Sequence, residues 1–180
     1  DMGMSLVKFL DNLLPNFIKN VPAEYQSDCA AAPTAASSLD GLESCYWDYG
    51  PNCTTSPPSI VGNLPWICWN YWMQYRYSMN ETLLENLYPL LRRAITYYTK
   101  LQYFNETDGL YHLPTTFSPE YDYRGNDTNY DLALYRWGLQ TLLKIVDILS
   151  IDDPDIPVWK YYQQTLVDYP TDENGYMIAS

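Results

Sequence analysis

The stretch NLPWICWNYWMQYRYSM, residues 63–79, is an almost continuous run of aromatic and apolar side chains that also contains three amides and one arginine. Pro65 suits the first turn of a helix, so the run predicts a helix from about residue 65 to residue 79. Asn80-Glu81-Thr82 then offers a cap, and leucines at three-to-four spacing predict a second helix to about residue 103, bent at Pro89. These two helices form a predicted hairpin.

The same spacing predicts three more helices outside this hairpin. They cover residues 5–20, with a kink at Pro15, residues 128–149, and a shorter segment from Asp152-Asp153-Pro154 to about residue 168. Residues 21–58 and 105–125 are predicted loops, and residues 172–176 form a turn before an extended end. The chain is therefore predicted to be all-α, with paired helices and strands confined to short pieces of loop.

Composition excludes several classes of protein. The 180 residues carry 10 Lys and Arg against 22 Asp and Glu, a formal net charge of −12. The densest basic cluster is Arg92-Arg93, so no nucleic-acid partner is expected. At 47% hydrophobic residues the chain should bury a core, and its length predicts one domain. No apolar run approaches the roughly 20 residues that span a bilayer.

Four Asn-x-Ser/Thr acceptor sites, at Asn52, Asn80, Asn105 and Asn126, fall at predicted loops or helix edges. This number favours a secreted eukaryotic glycoprotein.

Cysteine placement agrees with secretion. The 21–58 loop holds three of the four cysteines, and a disulfide between Cys45 and Cys53 would be the shortest of the possible closures. The chain has no CxxC pair and only one histidine, so we expect neither a metal nor a cofactor.

A candidate general acid lies in the second long loop. Glu120 follows Ser118-Pro119 among aromatic neighbours, and an aromatic wall raises the pKa of a carboxyl group toward the range of a general acid. The alternative is a surface glutamate after a Ser-Pro turn.

Candidate sugar-binding residues are Trp66, Asn70, Arg76 and His112, because pyranose rings stack on aromatic faces while amides and cations bind their hydroxyls. Many of the aromatics must face the core in any case, and His112 could equally make a structural hydrogen bond. For Asp131 we favour an interaction with the helix dipole over a ligand contact.

Several motifs in this order resemble the catalytic domain of glycoside hydrolase family 95 over about residues 60–178. They are Asn63-Leu64-Pro65-Trp66, residues 69–79, Pro89-Leu90-Leu91-Arg92-Arg93-Ala94, residues 108–114, Ser118-Pro119-Glu120 and residues 129–134. The resemblance implies an (α/α)6 toroid of six helical hairpins, inverting hydrolysis of α-linked fucose or galactose, and Glu120 as the acid. Residues 1–180 would then be part of one such domain.

Two features leave the function open. Where the fucosidases of this family place two water-positioning asparagines, this chain has Leu64 and Trp66, with Asn63 one residue out of register. Twelve helices need roughly 300 residues, so we expect the catalytic base outside this stretch. The alternative function is a non-catalytic extracellular coat or filament glycoprotein that self-assembles.

Overall fold

The computed structural model describes residues 2–33, 40–42, 60–117, 124–175 and 177. Its helices are α1 (Met2–Asp11), α2 (Leu14–Lys19), α3 (Asn63–Ser78), α4 (Thr82–Leu101), α5 (Asn129–Leu149) and α6 (Ile156–Thr165), with a 3-10 turn at Ala23–Tyr25. Two antiparallel hairpins separate α4 from α5: β1 (Tyr103–Asn105) pairs with β2 (Leu110–His112), and β3 (Thr116–Phe117) pairs with β4 (Arg124–Gly125). The described residues are thus mostly helical, as predicted, and agree with a segment of a helical toroid.

Helices α3 to α6 pack in sequence order, each on the next. Short links hold α3 against α4 and α5 against α6, through residues 79–81 and 150–155, whereas the two hairpins lie between α4 and α5. Helices α4 and α5 approach closely at Gly138, where an added Cβ would lie 2.1 Å from Cδ1 of Ile95. The leucines of α4 supply much of the core, and the helix continues through Pro89.

The predicted helix over residues 5–20 is wrong in one respect, because the chain forms two helices there. Proline at position 15 has no N–H to donate, and its ring crowds the carbonyl four residues earlier, at Asp11, where α1 ends. Leu13 N–H instead donates to Leu10 O at 2.9 Å, which is a tighter turn. Pro15 therefore opens α2 rather than kinking one long helix.

Part of the predicted 21–58 loop belongs to the core. Cys29 and the three alanines after it are buried, and Arg93 of α4 donates to the carbonyls of Gln26, Ser27 and Cys29. Cys29 and Cys68 are buried and not in a disulfide. The predicted Cys45–Cys53 pair lies outside the described residues.

Tertiary contacts end α4 and α6 earlier than the sequence pattern predicts. Tyr103 pairs with His112 in the first hairpin instead of continuing α4. After α6, Leu166 forms a parallel bridge with Tyr111, and an Arg136 Nη donates to the Leu166 and Val167 carbonyls. These contacts hold residues 166–167 extended against β2.

The longest described helices, α4 and α5, span 20 and 21 residues. Both carry charged side chains along their length. Among the described residues no helix is both long and apolar enough to cross a membrane.

Candidate functional site

The N-terminal ends of α3 and α5 meet at a close contact. A Cβ added to Gly62 would lie 2.4 Å from Cε1 of Tyr130, so the glycine lets the two helices approach. The Tyr130 hydroxyl donates to Asn63 Oδ1 at 2.9 Å, and its ring packs edge-on against Trp66 with centroids 5.9 Å apart. This contact fixes the position of Trp66 at one end of the helical stack.

Trp66 and Asn70 lie together on the exposed face of α3. Four residues apart, they occupy adjacent turns, and Asn70 Nδ2 donates to Trp66 O at 3.2 Å. Half of the Trp66 surface is accessible (50%), which leaves its ring available for stacking. Both side chains line a largely apolar cavity of about 420 Å³, formed with Leu6 and Phe9 of α1 and Phe17 of α2. This volume is within the usual range for small-molecule pockets, about 300–1,000 Å³.

Arg76 does not join this pair. It is exposed near the other end of α3, ten residues beyond Trp66, or about 15 Å along the helix axis. The two side chains therefore do not reach the same monosaccharide ring.

His112 is engaged within the protein by both ring nitrogens. Nδ1 lies 2.7 Å from Asp127 Oδ2, and Nε2 lies 2.9 Å from Asp108 Oδ2. Burial alone would lower the pKa of His112, but the hydrogen bonds and charges of the two carboxylates outweigh it and raise the pKa. The geometry favours the structural role over a hydrogen bond to sugar.

Asp131 is fully buried in the first turn of α5, where four donors converge on its carboxyl group. The Tyr98 hydroxyl donates to Oδ1 at 2.6 Å, and the Thr116 and Thr128 hydroxyls donate to Oδ2 at 2.5 and 3.0 Å. The backbone N–H of Gly62 is the fourth donor. These groups come from the α3 lead-in, α4, β3 and α5, so Asp131 joins four segments rather than only complementing a dipole.

Burial raises the pKa of the Asp131 carboxyl, and the hydrogen bonds from Thr116, Tyr98 and Thr128 partly oppose this rise. The donors are neutral, and neither Lys nor Arg is among the main causes of the shift. Hydroxyl donors satisfy the buried oxygens without adding an opposing charge.

The second hairpin carries Glu120 between its strands. Ser118, Pro119 and Glu120 lie outside the described residues, while β3 and β4 on either side are described. Thr115 Oγ1 donates to Asn126 Oδ1 at 2.6 Å, and Leu113 N–H donates to Asp127 Oδ1 at 2.7 Å. The base of this hairpin is therefore held by side-chain hydrogen bonds on the chain that enters and leaves it.

Three residues important to this geometry, Asn63, Tyr130 and Thr116, were not predicted as site residues. One local signal was present for α5. Thr128 is its N-cap and Asp131 follows three residues later, the spacing of a capping box. The contacts to Asn63 and Thr116 are tertiary and have no local signal.

Among the described residues no group of three or more His, Cys, Asp or Glu side chains could hold a metal ion. The chemistry available at this end of the stack is that of carboxyl, hydroxyl, amide and aromatic groups.

Comparison with known families agrees with the earlier resemblance. The sequence model of the glycosyl hydrolase family 95 catalytic domain matches residues 3–178. The match begins well before residue 60, so α1 and α2 belong to the family domain as well. No curated protein matches the chain. The match supports a glycoside hydrolase acting on a glycan, rather than the coat or filament glycoprotein.

Proposed function

Because this chain belongs to glycosyl hydrolase family 95, we propose that it is an inverting glycosidase for α-linked fucose or galactose, with Glu120 as the general acid. The family match carries the proposal, since it spans the Ser118-Pro119-Glu120 motif together with the helices on both sides of it. The proposed domain is an (α/α)6 toroid, of which these helices would be one segment.

In this reaction Glu120 donates its proton to the glycosidic oxygen as the bond from that oxygen to the anomeric carbon breaks. A water molecule adds to the anomeric carbon from the opposite face and loses a proton to a carboxylate base. The products are the free sugar with inverted configuration and the protonated leaving group. A neutral, protonated Glu120 is required at the start, which an aromatic environment favours.

The proposed sugar contacts begin at Trp66, whose accessible ring would stack on the pyranose. Asn70, one turn further along the same face, would bind a hydroxyl group. Arg76, about 15 Å from Trp66 along α3, would contact a more distant part of the glycan. We assign His112 to support of the hairpins rather than direct contact, since both of its nitrogens already face carboxylates.

The test compares two substrates in the natural polypeptide that contains this sequence. Methyl α-L-fucoside has a poor leaving group that needs protonation, whereas α-L-fucosyl fluoride releases fluoride with little need for an acid. Glu120→Gln should lower hydrolysis of the methyl glycoside at least about 100-fold and affect the fluoride far less. The corresponding α-D-galactosides are the second pair.

Glu106→Gln is the matched control. Glu106 is an exposed glutamate in the turn between β1 and β2. Glu106→Gln removes one negative charge, as Glu120→Gln does, and leaves the Asn-x-Thr acceptor site at Asn105 intact. It should leave both rates unchanged. Equal rates for Glu120→Gln and the wild type on the methyl glycosides would exclude Glu120 as the acid.

We also propose that the protein is a secreted glycoprotein. Asn80 and Asn126 are exposed and Asn105 is half-buried, positions compatible with attached glycans, and Asn52 lies outside the described residues. The mass lost on enzymatic removal of N-glycans from the native protein tests this, and an unchanged mass would refute it.

A further inference from the structure

A short hydrogen bond joins the hairpin that carries Glu120 to the helical stack. Thr116 in β3 is buried, and its hydroxyl donates to Asp131 Oδ2 at 2.5 Å across 15 residues of sequence. Ser118 follows directly after the last residue of β3. The position of β3 therefore sets the point from which the Ser-Pro-Glu segment starts.

The same carboxyl group is also bonded beside the exposed face of α3 that carries Trp66 and Asn70, which we call the Trp66 wall. Asp131 accepts from the backbone N–H of Gly62, the residue before α3, and the neighbouring Tyr130 contacts both Asn63 and Trp66. One buried side chain is thus bonded to the lead-in of α3 and to β3. Displacing the Asp131 side chain would alter the distance between the Trp66 wall and the hairpin.

A capping role alone does not require this arrangement. The Asp131 N–H donates to Thr128 Oγ1 at 3.3 Å, and Thr128 Oγ1 donates back to the carboxyl, so the cap of α5 is complete within four residues. The bonds from Thr116 and from Tyr98 of α4 are additional. Burying a carboxyl group is costly, and its use here links segments distant in sequence.

We propose that Asp131 is a positioning residue of the hydrolase, acting through Thr116 to set the placement of the proposed general acid relative to the Trp66 wall. This inference rests on the proposed function. Misplacement of an acid by about 1 Å lowers the rate of the step that it assists by up to about 100-fold. Asp131 itself is fully buried and does not touch the substrate.

Two variants of the intact protein test the inference. Asp131→Asn keeps the shape of the side chain but leaves one acceptor oxygen for four donors. Thr116→Val keeps the shape of Thr116 and removes its hydroxyl, which bonds to the carboxyl and lies 3.3 Å from the Thr128 hydroxyl. Both should lower hydrolysis of methyl α-L-fucoside about 10- to 100-fold while lowering that of α-L-fucosyl fluoride less than about threefold.

Asp153→Asn is the matched control, because Asp153 is another buried carboxylate that accepts from a tyrosine hydroxyl, but it joins α4 to the α6 lead-in. It should change the two rates equally. A merely structural role for Asp131 would likewise lower both rates in parallel, which would overturn the inference. Thr116→Val decides the matter if Asp131→Asn does not fold.

Glu120→Gln, measured beside these variants, separates the two proposals. If it discriminates between the substrates and Thr116→Val does not, the positioning role fails and the assignment of the acid stands. If Glu120→Gln affects both substrates equally, the assignment of the acid fails and the inference fails with it.

Discussion

Asp131 and Asp153 are both buried and both accept a hydrogen bond from a tyrosine of α4, yet their surroundings differ. Asp131 receives neutral donors alone. Asp153 is paired with Arg92, whose Nε lies 2.8 Å from Oδ2, and the same guanidinium reaches Asp155 at 2.6 Å. The first carboxyl joins four segments at the candidate site, and the second fastens the start of α6 to α4.

The two carboxyl groups consequently differ in acidity. Burial raises the pKa of Asp131 despite its hydrogen bonds. Burial would raise the pKa of Asp153 too, but the hydrogen bonds from Arg92 and Tyr88 outweigh it, and the pKa falls below its usual value. Asp131 is more deeply buried than Asp153 (0% against 8% exposed) and has no charged donor, so depth of burial and the charge of the donor together decide how a buried carboxyl group titrates.

The largest expected difference follows from truncation. Asp131→Ala leaves buried hydroxyls and a backbone N–H without their acceptor and should lower the free energy of unfolding by about 3–5 kcal/mol. Asp153→Ala should cost about 1–2 kcal/mol, because Arg92 keeps Asp155 and is partly exposed to water. Urea denaturation measures each loss where the contribution is present, at about pH 4 for Asp131→Ala and at about pH 7 for Asp153→Ala. Equal losses would contradict this account of the two sites.

The pH dependence of these losses should have opposite signs. A raised pKa means that the stability contributed by Asp131 is present below about pH 4 and is lost as the pH rises through its folded-state pKa. A lowered pKa means that the contribution of Asp153 is present above about pH 4 and is lost as the pH falls.

Denaturation of the wild type, Asp131→Asn and Asp153→Asn between about pH 3 and pH 7 checks these signs. The destabilisation caused by Asp131→Asn should shrink as the pH rises, whereas that caused by Asp153→Asn should grow. Parallel pH profiles for the two variants would show that their surroundings do not differ in the way described.

Removing one hydrogen-bond donor from each site should give the smallest changes in the free energy of unfolding. Tyr98→Phe takes a hydroxyl from a fully buried group and should cost about 1.5 kcal/mol. Tyr88→Phe should cost about 0.5 kcal/mol, since Tyr88 is partly accessible and Asp153 retains Arg92. Thermal unfolding followed by circular dichroism measures both losses of stability. A larger loss for Tyr88→Phe than for Tyr98→Phe would contradict this account.

Local patterns accounted for the central helices. The aromatic run before Met79, the cap at Asn80 and the leucine spacing predicted α3 and α4 within about two residues at each end. Thr82 N–H does donate to Asn80 Oδ1, at 3.1 Å, although the N-cap position of α4 is Glu81, whose side chain makes no cap bond. These signals are local, so a single sequence contains them.

Features created by distant contacts were missed. The end of α6 depends on Arg136, thirty residues before the carbonyl to which it donates. The core position of Cys29 depends on Arg93, and the role of Asp131 depends on Tyr98 and Thr116. In the candidate site, Trp66 and Asn70 were predictable as a pair through their spacing. The partners of His112 were not predicted: Asp108 lies in the turn of the same hairpin, and Asp127 lies between β4 and α5.

The central claim, inverting hydrolysis of an α-glycoside, is tested most directly by proton NMR of the natural polypeptide acting on α-L-fucosyl fluoride and α-D-galactosyl fluoride. We predict that one of these substrates releases the β-anomer first, followed by slow mutarotation to the equilibrium mixture. Initial release of the α-anomer, or no release of sugar from either substrate above the spontaneous rate, would contradict the claim.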